Sequence, residues 1–277
     1  MSLKEKIEDY LIQTYDIEFD CGIQFHPIRI VESMKSLIGI EPQKPNKLIL
    51  NYFQTYLNDF KIKYKTDTEI SQVEYFASMI NLEILLQKNK FDQSRIEIQR
   101  LLQVSSGEPI LEILLLLYLK DINLLSCLFS IFRSVKFCNG RNIKQAIFLM
   151  LDIIEEYQKS DKIFNKLHYL DYSTSILEIS QNTFIRDVEI KNILQKIDYK
   201  MIYNKIRFYK KTKLGEDLIE NGRSRILDYI NKHPDILKNN KNILLMDSIR
   251  TILRYRKSSE YDNHLHFSVS ELELNDG

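Results

Sequence analysis

Eight basic side chains fall between Lys191 and Lys213 (Lys191, Lys196, Lys200, Lys205, Arg207, Lys210, Lys211 and Lys213) against a single acid, Asp198. Tyr199, Tyr203 and Tyr209 are set among them. Cations at this density neutralise phosphates, and tyrosine rings stack on unpaired bases. The window therefore has the composition of a nucleic-acid contact or of a surface for an acidic partner. Wound as a helix, it puts Lys196, Lys200, Arg207 and Lys211 near one face and Lys205 and Lys210 on another, while Ile193, Ile197, Met201 and Ile202 turn toward a core. The candidate binding residues are Lys196, Lys200, Tyr203, Arg207, Lys210 and Lys211. The competing explanation is a solvated lysine face. With 27 lysines against 12 arginines, abundant Ile and Asn, and only Ala77 and Ala146 as alanines, the chain has the bias of an AT-rich coding genome, which raises lysine everywhere.

The other residues that could do chemistry do not assemble into a motif. Of the five histidines, His26 and His233 precede proline and sit at turn or helix-start positions, and His168 is isolated. His264 and His266 are two apart, on one side of an expected strand, but no third ligand lies near them, so no metal is assigned. HExxH and ExxH patterns are absent. Asp187-Val188-Glu189-Ile190-Lys191, with Asp171 upstream, contains the acid-x-Lys triplet that metal-dependent nucleases carry on a strand, but its surroundings are patterned as helix. Helical ribonucleases of the HEPN class place four to six residues between Arg and His; Arg225 to His233 and Arg256 to His264 have seven. The seven glycines are scattered, which rules out a phosphate-cradling loop, and no GxSxG elbow is present. Cys21, Cys127 and Cys138 are far apart and odd in number, as expected of reduced, buried thiols in a cytoplasmic protein. No catalytic residue, cofactor or metal follows from the sequence.

The elements that would carry any site are helices. Gly and Pro together number twelve in 277 residues, and between them Leu, Ile, Phe and Tyr recur at helical spacing. Net charge is +1, so no overall field draws the chain to nucleic acid or anionic membrane. The N-terminus has no apolar h-region, and no signal peptide is expected. The greasiest stretch, 110–132, is broken by Lys120-Asp121 at its middle, where two charges oppose membrane insertion; two buried helices meeting at a turn explain it better.

Helices are expected over 3–15, from Pro27 to Gly39, from Pro45 to Tyr64, over 92–103, 108–119, 122–136, 141–158, 161–180, 184–211 and about 241–257, with breaks at Cys138-Asn139-Gly140, Asn221-Gly222 and His233-Pro234. Thr66-Asp67-Thr68-Glu69 has capping-box form and predicts a further helix to Lys88, with Ile70, Val73, Phe76, Ala77, Ile80 and Ile84 on its buried face. Two segments alternate with period two: Ile17 to Phe25, and Leu265, Phe267 and Val269 near the C-terminus. They either pair as a small two-stranded ribbon or leave a loop and a free or donated tail.

The expected fold is all-α, more than about 60% helix: an irregular, solenoid-like array or bundle of antiparallel helix pairs, with a ribbon where the period-two segments pair. One helical domain over 1–257 and a tail over 258–277 are expected. The absence of a constant period, with no Trp and two Ala, argues against a regular tetratricopeptide array. Functionally the pattern points to a non-catalytic helical scaffold that binds another protein or peptide and does not enter a membrane. The alternative is a nucleic-acid-binding helical protein using the 191–213 face.

Overall fold

A computed structural model describes residues 2–18, 23–62, 77–118, 122–159, 211–255 and 259–274. About 81% of what it describes is helical, in twelve α-helices and short 3-10 turns, with no strand or sheet among the described residues. The fold is all-α.

The chain folds into two compact units that interleave along the sequence. The first comprises residues 1–28 and 60–166, the second 29–59 and 167–277.

In the first unit, α1 (Leu3–Gln13) begins in a capping box. The Glu5 amide donates to Ser2 Oγ at 3.2 Å while Glu5 Oε2 accepts from the Ser2 amide at 2.6 Å, so two otherwise orphaned donors are satisfied. A 3-10 turn, Thr14–Asp16, follows and packs on α8. Of helices α4 (Met79–Gln87), α5 (Phe91–Val104), α6 (Glu108–Leu117), α7 (Ile122–Phe137) and α8 (Ile143–Lys159), α4 packs on α5 and α6, α6 on α7 and α7 on α8, and α8 also reaches back to α5 and α6. Leu111, Leu114, Leu115, Leu128, Ile131, Ile147, Met150 and Ile154 form the core between them. Gly107 permits the close approach of α6 to α8. Its φ is +83°, and a Cβ there would stand 3.1 Å from Ile147 and 3.2 Å from Ile143 and Leu102. The α7–α8 turn is built from Asn139, Gly140 and Asn142, all at positive φ, the residue types that tolerate it.

In the second unit, α2 (Pro27–Ile38) has nearly every side chain buried. α3 (Lys47–Tyr56) starts at Asn46, whose side chain accepts from the Leu48 and Ile49 amides. α9 (Lys213–Asn221) and α10 (Ser224–Lys232) are separated by Gly222, at φ +79°. A 3-10 turn at Pro234–Lys238 leads into α11 (Asn240–Tyr255), which lies against α12 (Ser259–Leu274).

Three expectations are corrected. The ribbon does not form. Ile17 makes one isolated antiparallel bridge to Ile62, with the Glu18 amide donating to the Lys61 carbonyl at 2.9 Å, and Ile23–Phe25 is a 3-10 turn. The alternation correctly marked Ile17 and Ile23 as buried, but two short turns bury them instead of a ladder. The C-terminal segment is neither a strand nor a free tail: it lies in α12. Leu265, Val269 and Leu272 are buried at spacings of four and three, a helical set that also satisfies a short period-two reading. On a helix, positions 264 and 266 are roughly 200° apart, so the strand geometry that would put them on one side does not apply.

The third correction concerns the helix expected from the Thr66–Glu69 cap to Lys88. Residues 77 and 78 are not helical, and Ser78 caps a new helix by accepting from the Asn81 amide at 3.3 Å. The Thr66 capping box and the helices expected over 161–180 and 184–211 lie outside the described residues. The greasy stretch is resolved as α6 and α7 packed on each other, and no described helix is long and apolar enough to cross a membrane.

Candidate functional site

Among the described residues, each unit has a group that departs from the usual rule of apolar inside and polar outside. In the second unit, α2 and α11 carry polar stripes of the same form. Arg29, Glu32, Ser33 and Ser36 on α2, and Asp247, Arg250, Thr251 and Arg254 on α11, each run i, i+3, i+4, i+7. All but Arg254 are buried.

The Ser33 hydroxyl donates to Asp247 Oδ2 at 3.0 Å. Arg250 Nε donates to Asp247 Oδ1 at 2.7 Å, and Arg250 Nη2 donates to the Thr251 hydroxyl at 3.0 Å. Asp247 is 7% exposed and Arg250 4%. On α2, Lys35 is ion-paired with Glu32. Chemically, this cluster is an orienting network. Ser33 gives its proton to a carboxylate already held by a guanidinium, so the pair lacks the free base that a nucleophilic serine requires. Buried charges that are paired and hydrogen-bonded instead fix how two helices meet.

In the first unit the exception is the reverse. Ile80 is 71% exposed and Ile84 41% on α4; on α5, Ile96 is 42% and Val104 77% exposed. Ile80 and Ile84, four apart, share one side of α4, whereas Leu82 and Leu86 are its buried residues. The expected burial of Ile80 and Ile84 is thus overturned. Helix α4, Met-Ile-Asn-Leu-Glu-Ile-Leu-Leu-Gln, is apolar on nearly every side, and periodicity alone does not choose its inner face. Every large hydrophobic side chain found exposed among the described residues belongs to this unit, Ile62 included.

The remaining polar geometry of the first unit is structural. The buried Glu97 accepts from the Ser78 amide at 2.7 Å and pairs with Arg100 at 3.4 Å, tying α5 to the start of α4. Ser134 donates to the Ile131 carbonyl at 2.7 Å, which leaves the Tyr15 hydroxyl as donor in its own 2.7 Å bond to Ser134. Burial pushes the Tyr15 phenol well above its ordinary range. Arg95 bridges Asp152, at 2.6 Å, and Glu155. Burial raises the Glu155 carboxyl, but Lys159 and Arg95 outweigh it and hold the group below its usual value.

Of the binding residues expected from the sequence, Lys196, Lys200, Tyr203, Arg207 and Lys210 lie outside the described residues; so does the acid-x-Lys triplet. Lys211 is described and is exposed, immediately before the α9 cap residue Thr212. Arg225 and His233 do not converge on a reaction centre. Arg225 pairs with Asp217 at 3.3 Å and Asp228 at 3.0 Å, and His233 stacks on Tyr229 with ring centroids 4.6 Å apart. Cys127 and Cys138 are buried thiols, and Cys138 Sγ donates to the Glu8 carbonyl at 3.8 Å. No group of His, Cys, Asp and Glu suited to a metal occurs among the described residues. No protein-family model matches the chain, and neither a curated protein nor a solved structure matches it significantly.

Proposed function

We propose that the protein is a non-catalytic helical scaffold that binds another protein or peptide through the outer side of α4 and α5. The observation that carries this reading is the pair Ile80 and Ile84, left exposed four residues apart on one helix, with Ile96 and Val104 exposed on the next. Apolar anchors at i and i+4 match the stripe of an amphipathic partner helix, whose burial there would remove apolar surface from water. Single exposed hydrophobics are ordinary; several on consecutive helices of one unit, with none among the described residues of the other, are a concentration.

The test is crosslinking mass spectrometry on the tagged chain purified from its source cells, with Ile80→Asp/Ile84→Asp alongside. The expected result is a partner crosslinked near α4 and α5 and lost from the variant, with the melting temperature unchanged. A partner retained in full by the variant would overturn the reading.

The charge of the 191–213 window supports a second reading, nucleic-acid binding, in which Lys196, Lys200, Arg207, Lys210 and Lys211 contact phosphates and Tyr203 stacks on a base. Titration of labelled single-stranded RNA and DNA at several salt concentrations separates the two. Affinity that falls steeply with salt and is lost in Lys196→Glu/Lys200→Glu supports this second function. No binding at low salt removes it.

A further inference from the structure

Helix α12 packs on α9, and a buried hydrogen bond ties it to the start of that helix. His266 of α12 is 3% exposed. Its Nδ1 accepts from the Thr212 amide at 3.0 Å, and the Thr212 hydroxyl lies 3.4 Å from the same nitrogen. Thr212 is the N-cap of α9, its hydroxyl accepting from the Gly215 amide at 3.0 Å. A backbone amide can only donate, so Nδ1 is unprotonated and the ring is the neutral tautomer with its proton on Nε2. Gly215 makes room for the ring: a Cβ at that position would stand 2.4 Å from Nδ1 and 2.8 Å from Cε1. The imidazole thus lies in a notch at the N-terminus of a helix, where amide dipoles favour a lone pair and oppose a cation.

We propose that His266 is a pH-operated latch that holds α12 on the N-terminus of α9 while neutral and releases it when Nδ1 is protonated. Protonation converts the acceptor into a second donor pointing at an amide hydrogen and adds positive charge at the positive end of α9. Release bares Leu265, Val269 and Leu272, all buried on α12.

Burial lowers the His266 pKa from its ordinary 6.5, Glu216 on α9 and Asp262 on α12 oppose that, and Lys211 before α9 adds to the lowering; the net direction is down. On α11, which also packs on α12, Lys241 is engaged with Glu271 at 3.1 Å, Asp247 and Arg250 hold each other, and Arg254 is exposed. A folded-state pKa below the released value means that the released form takes up the proton first. The latch contribution is complete above about pH 6.5, declines as pH falls from there toward the lowered folded value, and is flat below it.

Hydrogen exchange of the full-length protein between pH 7.5 and 5, corrected for intrinsic exchange rates, tests the latch. His266→Asn serves as comparison, because its side-chain oxygen can accept from the Thr212 amide but does not titrate. Protection of α12 in the wild type should fall several-fold relative to α7 across this range and stay constant in His266→Asn. Equal pH dependence in both proteins, or none in the wild type, overturns the proposal. Should the variant not fold, imidazole nitrogen NMR of the wild type decides. The expected result is an unprotonated Nδ1 at pH 7.5 and a titration below 6.5 that the α12 amide shifts follow. A titration at or above 6.5, or one that α12 ignores, overturns it equally.

Discussion

The two units handle charge and greasiness in opposite ways. The first joins its helices at the rim with exposed or half-exposed arginines. Arg141 reaches from the α7–α8 turn to Glu8 at 3.0 Å and Asp9 at 3.1 Å, and Arg95 reaches from α5 to α8. Such pairs are screened by solvent and add little, so the cohesion of this unit rests on the aliphatic side chains between α5, α6, α7 and α8. Its buried acids follow the same economy: Glu97 is satisfied by a backbone amide and Glu8 by a cation at the surface. The second unit puts Asp247, Arg250 and Ser33 inside and shows no large exposed hydrophobic among its described residues. A core held by apolar contact tolerates many arrangements of similar volume. A core containing a charge tolerates few, because any misfit leaves that charge unpaired in low dielectric.

The contrast breaks most sharply at Asp247. Replacing Asp247 with Ala removes the buried carboxylate to which Arg250 Nε and the Ser33 hydroxyl donate. Denaturant unfolding of the full chain should show a loss of about 3–5 kcal/mol. The double replacement Asp247→Leu/Arg250→Met removes both charges together and should recover most of that loss. If the single and double variants are equally unstable, the network contributes through shape and not through charge.

In the first unit the corresponding weak point is steric. Gly107→Ala forces a side chain into a left-handed backbone position and against Ile147, Ile143 and Leu102 at once. The expected loss is about 1–3 kcal/mol, read from the unfolding midpoint. A neutral result would mean that α6 and α8 separate without penalty, contrary to an apolar seam that holds this unit together.

Much of the architecture is legible in the sequence because its punctuation is chemical. Cys138-Asn139-Gly140, Asn221-Gly222 and His233-Pro234 each end or divide helices, and Asn139, Gly140 and Gly222 stand at positive φ, which favours those residue types. The failures arise where one pattern serves two structures. Leu265, Phe267 and Val269 alternate, yet Leu265, Val269 and Leu272 also form a helical stripe, and neighbouring α11 decides between them. The polar stripes of α2 and α11 were present in the sequence at i, i+3, i+4, i+7, but nothing local says that they point inward; that depends on a partner 214 positions away, as in the Ser33–Asp247 bond. Ile80 and Ile84 were illegible as surface for the converse reason. A helix apolar on all sides has no preferred inner face until its neighbours are in place.

Smaller effects sharpen the contrast at the edges of the first unit. Ser2→Ala removes the acceptor for the Glu5 amide and half of the α1 capping box. A loss of about 1 kcal/mol is expected in chemical denaturation. Because α1 packs on α7, the change should appear in the global transition and not only as fraying of the first turn.

The smallest effect belongs to the most exposed isoleucine. Ile80→Gln exchanges a side chain that is 71% exposed for one with a better helix propensity. Little apolar area is lost from the unit's own core, so unfolding free energy should change by less than about 0.5 kcal/mol in either direction. Leu82→Ala, two residues along the same helix and fully buried, should lose about 2–5 kcal/mol by removing core contacts and leaving a cavity. The gap between these variants measures which side of α4 faces the unit's interior. A loss above about 1.5 kcal/mol for Ile80→Gln would place that isoleucine in the range of a buried side chain, and the outer side of α4 would then hold the unit itself together instead of being open to a partner.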